Sequence, residues 1–64
     1  MPIQDLVGKK GTLYLDGGHI ISGLIDMNFA VGTQTVEILF RVETEDKVIF
    51  VPESKICAFV YENN

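Results

Sequence analysis

The stretch TLYLDGGHIISGLIDMNF, residues 12–29, decides the fold class that the sequence predicts. Its first part alternates apolar and polar residues with a period of two, which places Leu13 and Leu15 on one face. Strict alternation is the pattern of a half-buried β-strand. The Asp-Gly-Gly sequence at residues 16–18 then predicts a tight turn, because glycine accepts positive φ angles. A second strand follows, so the stretch predicts a β-hairpin.

The second arm of this hairpin is predicted to be one long strand over residues 19–29. Its apolar face is formed by Ile21, Gly23, Ile25, Met27 and Phe29, and its opposite face by Ser22, Asp26 and Asn28. A glycine in the middle of a strand marks a bulge or a sharp bend. Gly23 therefore predicts a bent strand that serves both halves of a small barrel.

Turn residues divide the rest of the chain into short segments. A helical turn is predicted over residues 2–8, where Pro2 suits the first helical position and Gly8 a stop. The predicted strands span residues 12–16, 19–29, 35–44, 47–51 and 55–61, with a single 3₁₀ turn at residues 52–54. This order predicts an all-β fold in one domain: a small, strongly bent, five-stranded antiparallel barrel with a short N-terminal helical turn.

The last predicted strand, residues 55–61, is apolar on both faces. One face carries Ile56, Ala58 and Val60, and the other carries Cys57, Phe59 and Tyr61. A terminal strand with two apolar faces favours pairing with another chain, so we expect these six residues to form an oligomer interface. The alternative is that the barrel closes on itself and that both faces are internal.

The small size of the chain also favours self-association. A chain of 64 residues buries only about 60% of the surface that its unfolded form exposes. One cysteine makes no internal disulfide, and one cysteine with one histidine is too few ligands for a structural zinc site. We therefore expect a homo-oligomer, either a ring or a dimer, with no metal and no cofactor.

The charge of the chain restricts its partners. Nine acidic and five basic residues give a net charge of −4, which opposes non-specific binding to nucleic acid or to an anionic membrane. The N-terminal MPIQDL has neither the basic nor the apolar region of a secretory signal, and no apolar run approaches a membrane span. With a single thiol, we expect a cytoplasmic protein without a membrane partner.

Two motifs resemble signatures of the Sm-like superfamily of small SH3-like barrels. The first is Leu13-x-Leu15-Asp16-Gly17, then five residues and Gly23-x-Ile25. The second is VIFVPESKICAF, residues 48–59. The resemblance implies that the fourth and fifth strands pair with a neighbouring subunit. The Val-Pro-x-Ser-Lys-Ile turn is most similar to small bacterial and phage barrels of this shape, for which the resemblance implies no activity.

The residues with which Sm-like proteins hold RNA are not carried over. In RNA-binding members, a Phe/Tyr-Asp pair and then an Asn follow the second strand. Here the corresponding residues 26–30 read DMNFA, with Phe29 at the position of that Asp. The bacterial host-factor RNA chaperone has a Tyr-Lys-His run between its last two strands, and eukaryotic and archaeal members have an Arg-Gly. Residues 50–54 read FVPES and contain neither.

No catalytic motif is recognisable in the sequence, and we expect a protein that is not an enzyme. The sequence has no nucleophile elbow, phosphate loop, His-x-x-x-His or Cys-x-x-Cys. His19 follows the Asp-Gly-Gly turn and is predicted to be a solvated turn residue, with Asp16 as its only evident partner. Cys57 is predicted to be a buried small apolar residue of the last strand.

Six residues are the candidates for contacting a ligand. They are Lys9, Lys10, Tyr14, Asp26, Asn28 and Phe29. The lysines offer charge to a phosphate, and the aromatic and polar side chains could stack on a base and hydrogen-bond it. The alternative is an ordinary solvated sheet face.

The expected function is therefore a non-enzymatic, homo-oligomeric binding or scaffold module of Sm-like type. One alternative is a binder of nucleotides or short single-stranded RNA that uses pockets between subunits. Another is a phage-type inhibitor that occludes a host protein.

Overall fold

The computed structural model describes residues 3–61, with side chains from residue 5 onward. The strands are β1 Lys10–Leu15, β2 Ile20–Val31, β3 Glu37–Glu43, β4 Val48–Pro52 and β5 Ile56–Tyr61. Three 3₁₀ turns, Ile3–Leu6, Asp16–Gly18 and Glu53–Lys55, complete the order. All strand pairs are antiparallel, so the all-β prediction is confirmed.

The five strands form one sheet in the order β4-β3-β2-β1-β5. β4 and β5 are its two edges and do not pair with each other within residues 3–61, so the sheet is open. The 12-residue strand β2 is shared by two halves of the sheet. Residues 20–24 of β2 pair with β1, and residues 24–31 pair with β3.

The predicted N-terminal helical segment contains a single 3₁₀ turn at Ile3–Leu6, and Pro2, its predicted first residue, lies outside the described residues. Leu6 is 1% exposed. The N–H of Gly8 donates to the carbonyl oxygen of Ile25 (2.6 Å). The turn is therefore fixed against β2 through both main chain and side chain. No helix in the described part of the chain is long and apolar enough to cross a membrane.

The core is small and draws on both halves of the sheet. Its fully buried side chains are Leu6, Leu13, Ile25, Phe40, Val42 and Val51. Leu13 and Leu15 share the inner face, as their alternation predicts: Leu13 is buried and Leu15 packs against the core. No charged or polar side chain is buried among the residues described.

Two glycines lie opposite each other where neighbouring strands approach closely. Gly11 pairs with Gly23. A Cβ on Gly11 would contact the carbonyl oxygen of Val60 and lie 2.8 Å from the Cα of Tyr61. The main chain of a neighbouring strand thus occupies the space that a side chain at Gly11 would need.

A bulge at Asp26 changes the predicted faces of β2. The pairing register shifts between Ile25 and Met27, so one extra residue reverses the alternation of side chains beyond it. Met27 and Phe29 are consequently 48% and 36% exposed instead of facing the core. Asn28 pairs with the buried Phe40 and lies on the inner face. The prediction that Asn28 points away from the core was wrong for this reason.

A second register shift, between Tyr14 and Leu15 of β1, changes the predicted faces of β5. Ile56 packs against the core on the same side as Phe59 and Tyr61, and not on the side of Ala58 and Val60. The extra residue on β5 is Cys57, which is exposed. Its predicted burial was therefore wrong.

Candidate functional site

The two edges of the sheet expose apolar side chains next to unpaired main chain. On β4, Phe50 is 51% and Val48 is 41% exposed, and on β5, Val60 is 61% exposed. Ala58 is exposed on the same side of β5 as Val60. Edge strands with apolar side chains are templates for pairing with another chain. The predicted interface strand is thus one of two apolar edges.

The outer surface beside β4 carries a cluster of apolar side chains that includes an aromatic pair. We call this cluster the outer-face patch, and it is formed by Met27, Phe29, Leu39, Phe50 and Pro52. The rings of Phe29 and Phe50 meet edge to face, with centroids 5.8 Å apart. Leu39 pairs with Phe29 on one side and with Pro52 on the other. The patch therefore extends the apolar edge of β4 across three strands.

An ion pair lies next to the outer-face patch. Arg41 donates to Oδ2 of Asp26, and its Nη1 lies 3.6 Å from the carboxylate of Glu43. Oδ1 of Asp26 is buried without a hydrogen-bond partner in the described residues. The bulge places Asp26 where its carboxylate neutralises Arg41, so the guanidinium of Arg41 is already paired and is not free to bind a phosphate.

The other candidate ligand residues lie on separate parts of the sheet. Nζ of Lys9 stands 5.0 Å from the centroid of the Tyr61 ring, a cation–π contact. Lys10 is exposed opposite Leu24. Phe29 is five residues further along β2, about 16 Å at the rise of an extended strand. Tyr14, 40% exposed, lies on β1 beside β5. One chain does not bring the six residues together.

His19 and Cys57 stand apart from a catalytic arrangement. His19 is exposed at the end of the β1–β2 turn. Cys57 is exposed on β5, which pairs with β1 at the opposite side from β2. Within the described residues, no three His, Cys, Asp or Glu side chains are grouped so that they could hold a metal ion.

A groove beside the first half of β2 is a site that the sequence reading missed. It has a volume of about 1000 Å³ and lies between residues 20–24 of β2 and the β3–β4 turn. A depression of about 420 Å³ continues it towards the β1–β2 turn and β4. Leu15, His19, Ile21 and Ile49 line both parts. The sequence contained one signal for this groove, which is that the predicted second strand is longer than the strands before and after it. A strand that is longer than its neighbours leaves part of its length without a partner.

Comparison with known proteins gives no relative of this chain: no protein-family model, no curated protein and no solved structure matches it.

Proposed function

We propose that the protein is a non-enzymatic binding or scaffold module that self-associates through the edges of β4 and β5. The observation that carries this proposal is the pair of open edges, each with apolar side chains exposed beside unpaired main chain. The edges belong to different strands, so one edge of a copy fits the other edge of the next copy. Such a head-to-tail contact repeats and closes into a ring when the rotation allows it.

Burial supports this contact as well. Phe50 and Val60 are 51% and 61% exposed in one chain, and pairing of β4 with β5 of another copy brings the outer faces of both strands side by side. Together with the outer-face patch, this contact removes apolar surface from water, which is the main favourable term in association. Residues 5–61 contain only six fully buried side chains, so burial of further apolar surface at an interface would add substantially to the stability of the fold.

We further propose that the open sheet is a bent barrel of the Sm-like type. Support comes from the element order of one short turn followed by five strands, from the glycine pair Gly11 and Gly23 at the bend, and from the Asp-Gly-Gly turn. In this proposal, β4 and β5 are the strands through which neighbouring subunits pair.

The test is the mass of the particle in solution between about 1 and 200 µM, measured by light scattering after size exclusion and by sedimentation. The wild type is expected to form a defined oligomer of the 7.1 kDa chain. Val60→Lys places a charge on the edge and is expected to weaken the oligomer at least tenfold. Ile20→Lys is the matched control, because Ile20 is equally exposed, at 61%, and lies away from both edges.

Three outcomes would count against the proposal or redirect it. A wild-type monomer across the whole range refutes it. Equal weakening by Val60→Lys and Ile20→Lys refutes the choice of edge. Binding of labelled oligo-U, oligo-A or nucleotides at low salt would instead favour the nucleotide or RNA alternative, with a salt dependence that counts the phosphate contacts.

A further inference from the structure

We propose that the groove beside residues 20–23 of β2 binds an extended peptide whose N-terminal end is basic, by adding it to the sheet as a strand antiparallel to β2. The main-chain groups that would pair with the peptide belong to β2 and not to β4 or β5, although Ile49 of β4 lines the groove. The proposal holds whether or not the protein self-associates. It follows from the direction of main-chain groups, from the apolar lining of the groove and from the charges at one end of it.

The hydrogen bonds between β1 and β2 fix which residues of β2 point towards β1. The N–H of Leu15 donates to the carbonyl oxygen of His19 (2.8 Å), and the N–H of Ile25 donates to that of Lys9 (3.0 Å). Antiparallel partners alternate between hydrogen-bonded and non-hydrogen-bonded pairs. The odd-numbered residues of β2 between these two pairs therefore direct their main-chain groups towards β1.

The even-numbered residues Ile20 and Ser22 direct their N–H and C=O groups to the opposite side. On that side, the first residue of β2 that pairs with β3 is Leu24, whose partner is Glu43. Glu43 is the last residue of β3, and the chain turns away from β2 after it, into the β3–β4 turn. Two N–H and two C=O groups thus face the groove without a strand partner among residues 3–61. An interior strand with one unpaired stretch is a template for strand addition.

Apolar side chains lie on both sides of this unpaired stretch. Ile21 and Ile49 are half-buried at the floor of the groove and pack against the core. Ile20 and Leu24 are 61% and 38% exposed on the outer face. Because side chains of a strand alternate between faces, an added strand with apolar residues would contact both sets. Main-chain bonds would supply affinity, and these contacts would supply preference for apolar residues.

Charge sets which residues are preferred at the N-terminal end of an antiparallel peptide. The β3–β4 turn lines one end of the groove with Glu43, Glu45 and Asp46, against Lys47 and Lys10. Arg41 already lies near Glu43, whereas Glu45 is exposed in the turn. A strand antiparallel to β2 begins at this end, so its first residues meet the carboxylates. Lysine or arginine at the N-terminus of the peptide therefore fits better than glutamate.

The test uses three peptides with a C-terminal fluorophore, titrated with the protein at low micromolar concentration and 50 mM salt, with anisotropy as the readout. KKVTVTV is expected to bind. KKVPVPV lacks the N–H groups of residues 4 and 6, and proline disfavours strand pairing, so it is expected to bind at least tenfold more weakly. EEVTVTV reverses the charge and is expected to bind at least fivefold more weakly, with a difference that shrinks at high salt.

Protein variants locate the contact. Ile20→Lys is expected to weaken binding of KKVTVTV at least fivefold, and Val60→Lys, with equal exposure on another strand, is expected to leave it unchanged. Ser22→Pro removes an N–H that faces the groove but none that faces β1, so it is expected to weaken binding of KKVTVTV. In amide NMR spectra of the wild type, the peptide is expected to shift the signals of residues 20–24 and 43–47.

Equal binding of KKVTVTV and KKVPVPV would overturn strand addition, and shifts confined to β5 would place the peptide on the terminal edge instead. Absence of binding by all three peptides would also overturn the proposal. These results are independent of the proposed self-association, since Val60→Lys keeps the groove while it weakens the oligomer. A monomer that still binds KKVTVTV would refute only the self-association.

Discussion

Replacing Gly23 by alanine tests whether two strands approach each other too closely at this position to admit a side chain. A Cβ at Gly23 would contact the carbonyl oxygen of Glu43 and lie 3.1 Å from its carbonyl carbon. It would also lie 3.2 Å from Cγ1 of Val42. The nearest atoms are main chain of a paired strand, so they cannot rotate away as the end of a side chain would.

The expected loss follows from two opposing effects. Forcing an extra methyl group into a packed site costs about 1–3 kcal/mol, and we expect the upper end here because main chain must move. Alanine also stabilises by about 0.4–1 kcal/mol, because it restricts the unfolded chain. The net loss is therefore about 2 kcal/mol, against a total of about 3–10 kcal/mol for a chain of this length. The melting temperature is expected to fall by about 8–16 °C.

Urea and thermal unfolding, followed by circular dichroism, measure this loss. Gly8→Ala is the control for backbone conformation, because Gly8 has φ 92° and no atom within 4 Å of an added Cβ. Its loss of stability should therefore come only from the left-handed backbone angle and amount to about 1 kcal/mol. Ser22→Ala, on the exposed face next to Gly23, removes only its hydrogen bond to Thr12 and is expected to cost less than about 1 kcal/mol. If Gly23→Ala is no worse than Gly8→Ala, close approach is not what requires the glycine.

Three further predictions concern the core, the ion pair and self-association. Leu6→Ala is expected to cost about 2–5 kcal/mol, because Leu6 is 1% exposed, whereas Val7→Ala, at 37% exposure, should cost less than about 1 kcal/mol in the same urea titration. Asp26→Asn should lower the free energy of unfolding by only about 1 kcal/mol, because both partners of the ion pair are partly exposed. Adding Arg41→Gln to this variant should cost little more, and full additivity in the double-mutant cycle would contradict the pairing. The free energy of unfolding of the wild type should rise with protein concentration, by about 0.7 kcal/mol per chain for each tenfold step in a dimer and more in a ring, and the melting temperature should rise with it. At the same concentrations, Val60→Lys should show a smaller rise.

The elements of the fold could be predicted because they rest on local patterns. The Asp-Gly-Gly turn, the alternation of Leu13 and Leu15, and the polar turn at residues 44–47 each specify a structure from a few neighbouring residues. All five strands were located in this way, with boundaries that differ by at most two residues. The openness of the sheet could not be derived, because it depends on whether β4 and β5 meet, and no local pattern encodes that contact.

The predicted faces of β2 and β5 were wrong on one side of each of the two bulges. Alternation predicts a face only while the register is continuous, and one extra residue exchanges the faces of all that follow. Asp26 fits the outward-facing pattern of Ser22, so nothing in the sequence marks it as the residue that shifts. Cys57 has an apolar neighbour on each side and likewise gives no signal. The ligand candidates Asn28 and Phe29 were therefore assigned to the wrong sides of β2.

The sharing of β2 between two halves of the sheet explains the small core, the two edge strands β4 and β5, and the unpaired stretch at residues 20–23. Its first half pairs with β1, and its second half pairs with β3, so the chain forms two three-stranded halves, β5-β1-β2 and β2-β3-β4, that meet at residues 24–25. Both halves direct side chains into one core, and Leu6 adds to that core from the N-terminal turn. The same geometry ends each half in an edge strand, and it leaves residues 20–23 of β2 without a neighbour on the side of β3. The surfaces that we propose for self-association and for peptide binding are thus a consequence of how a short chain builds its core.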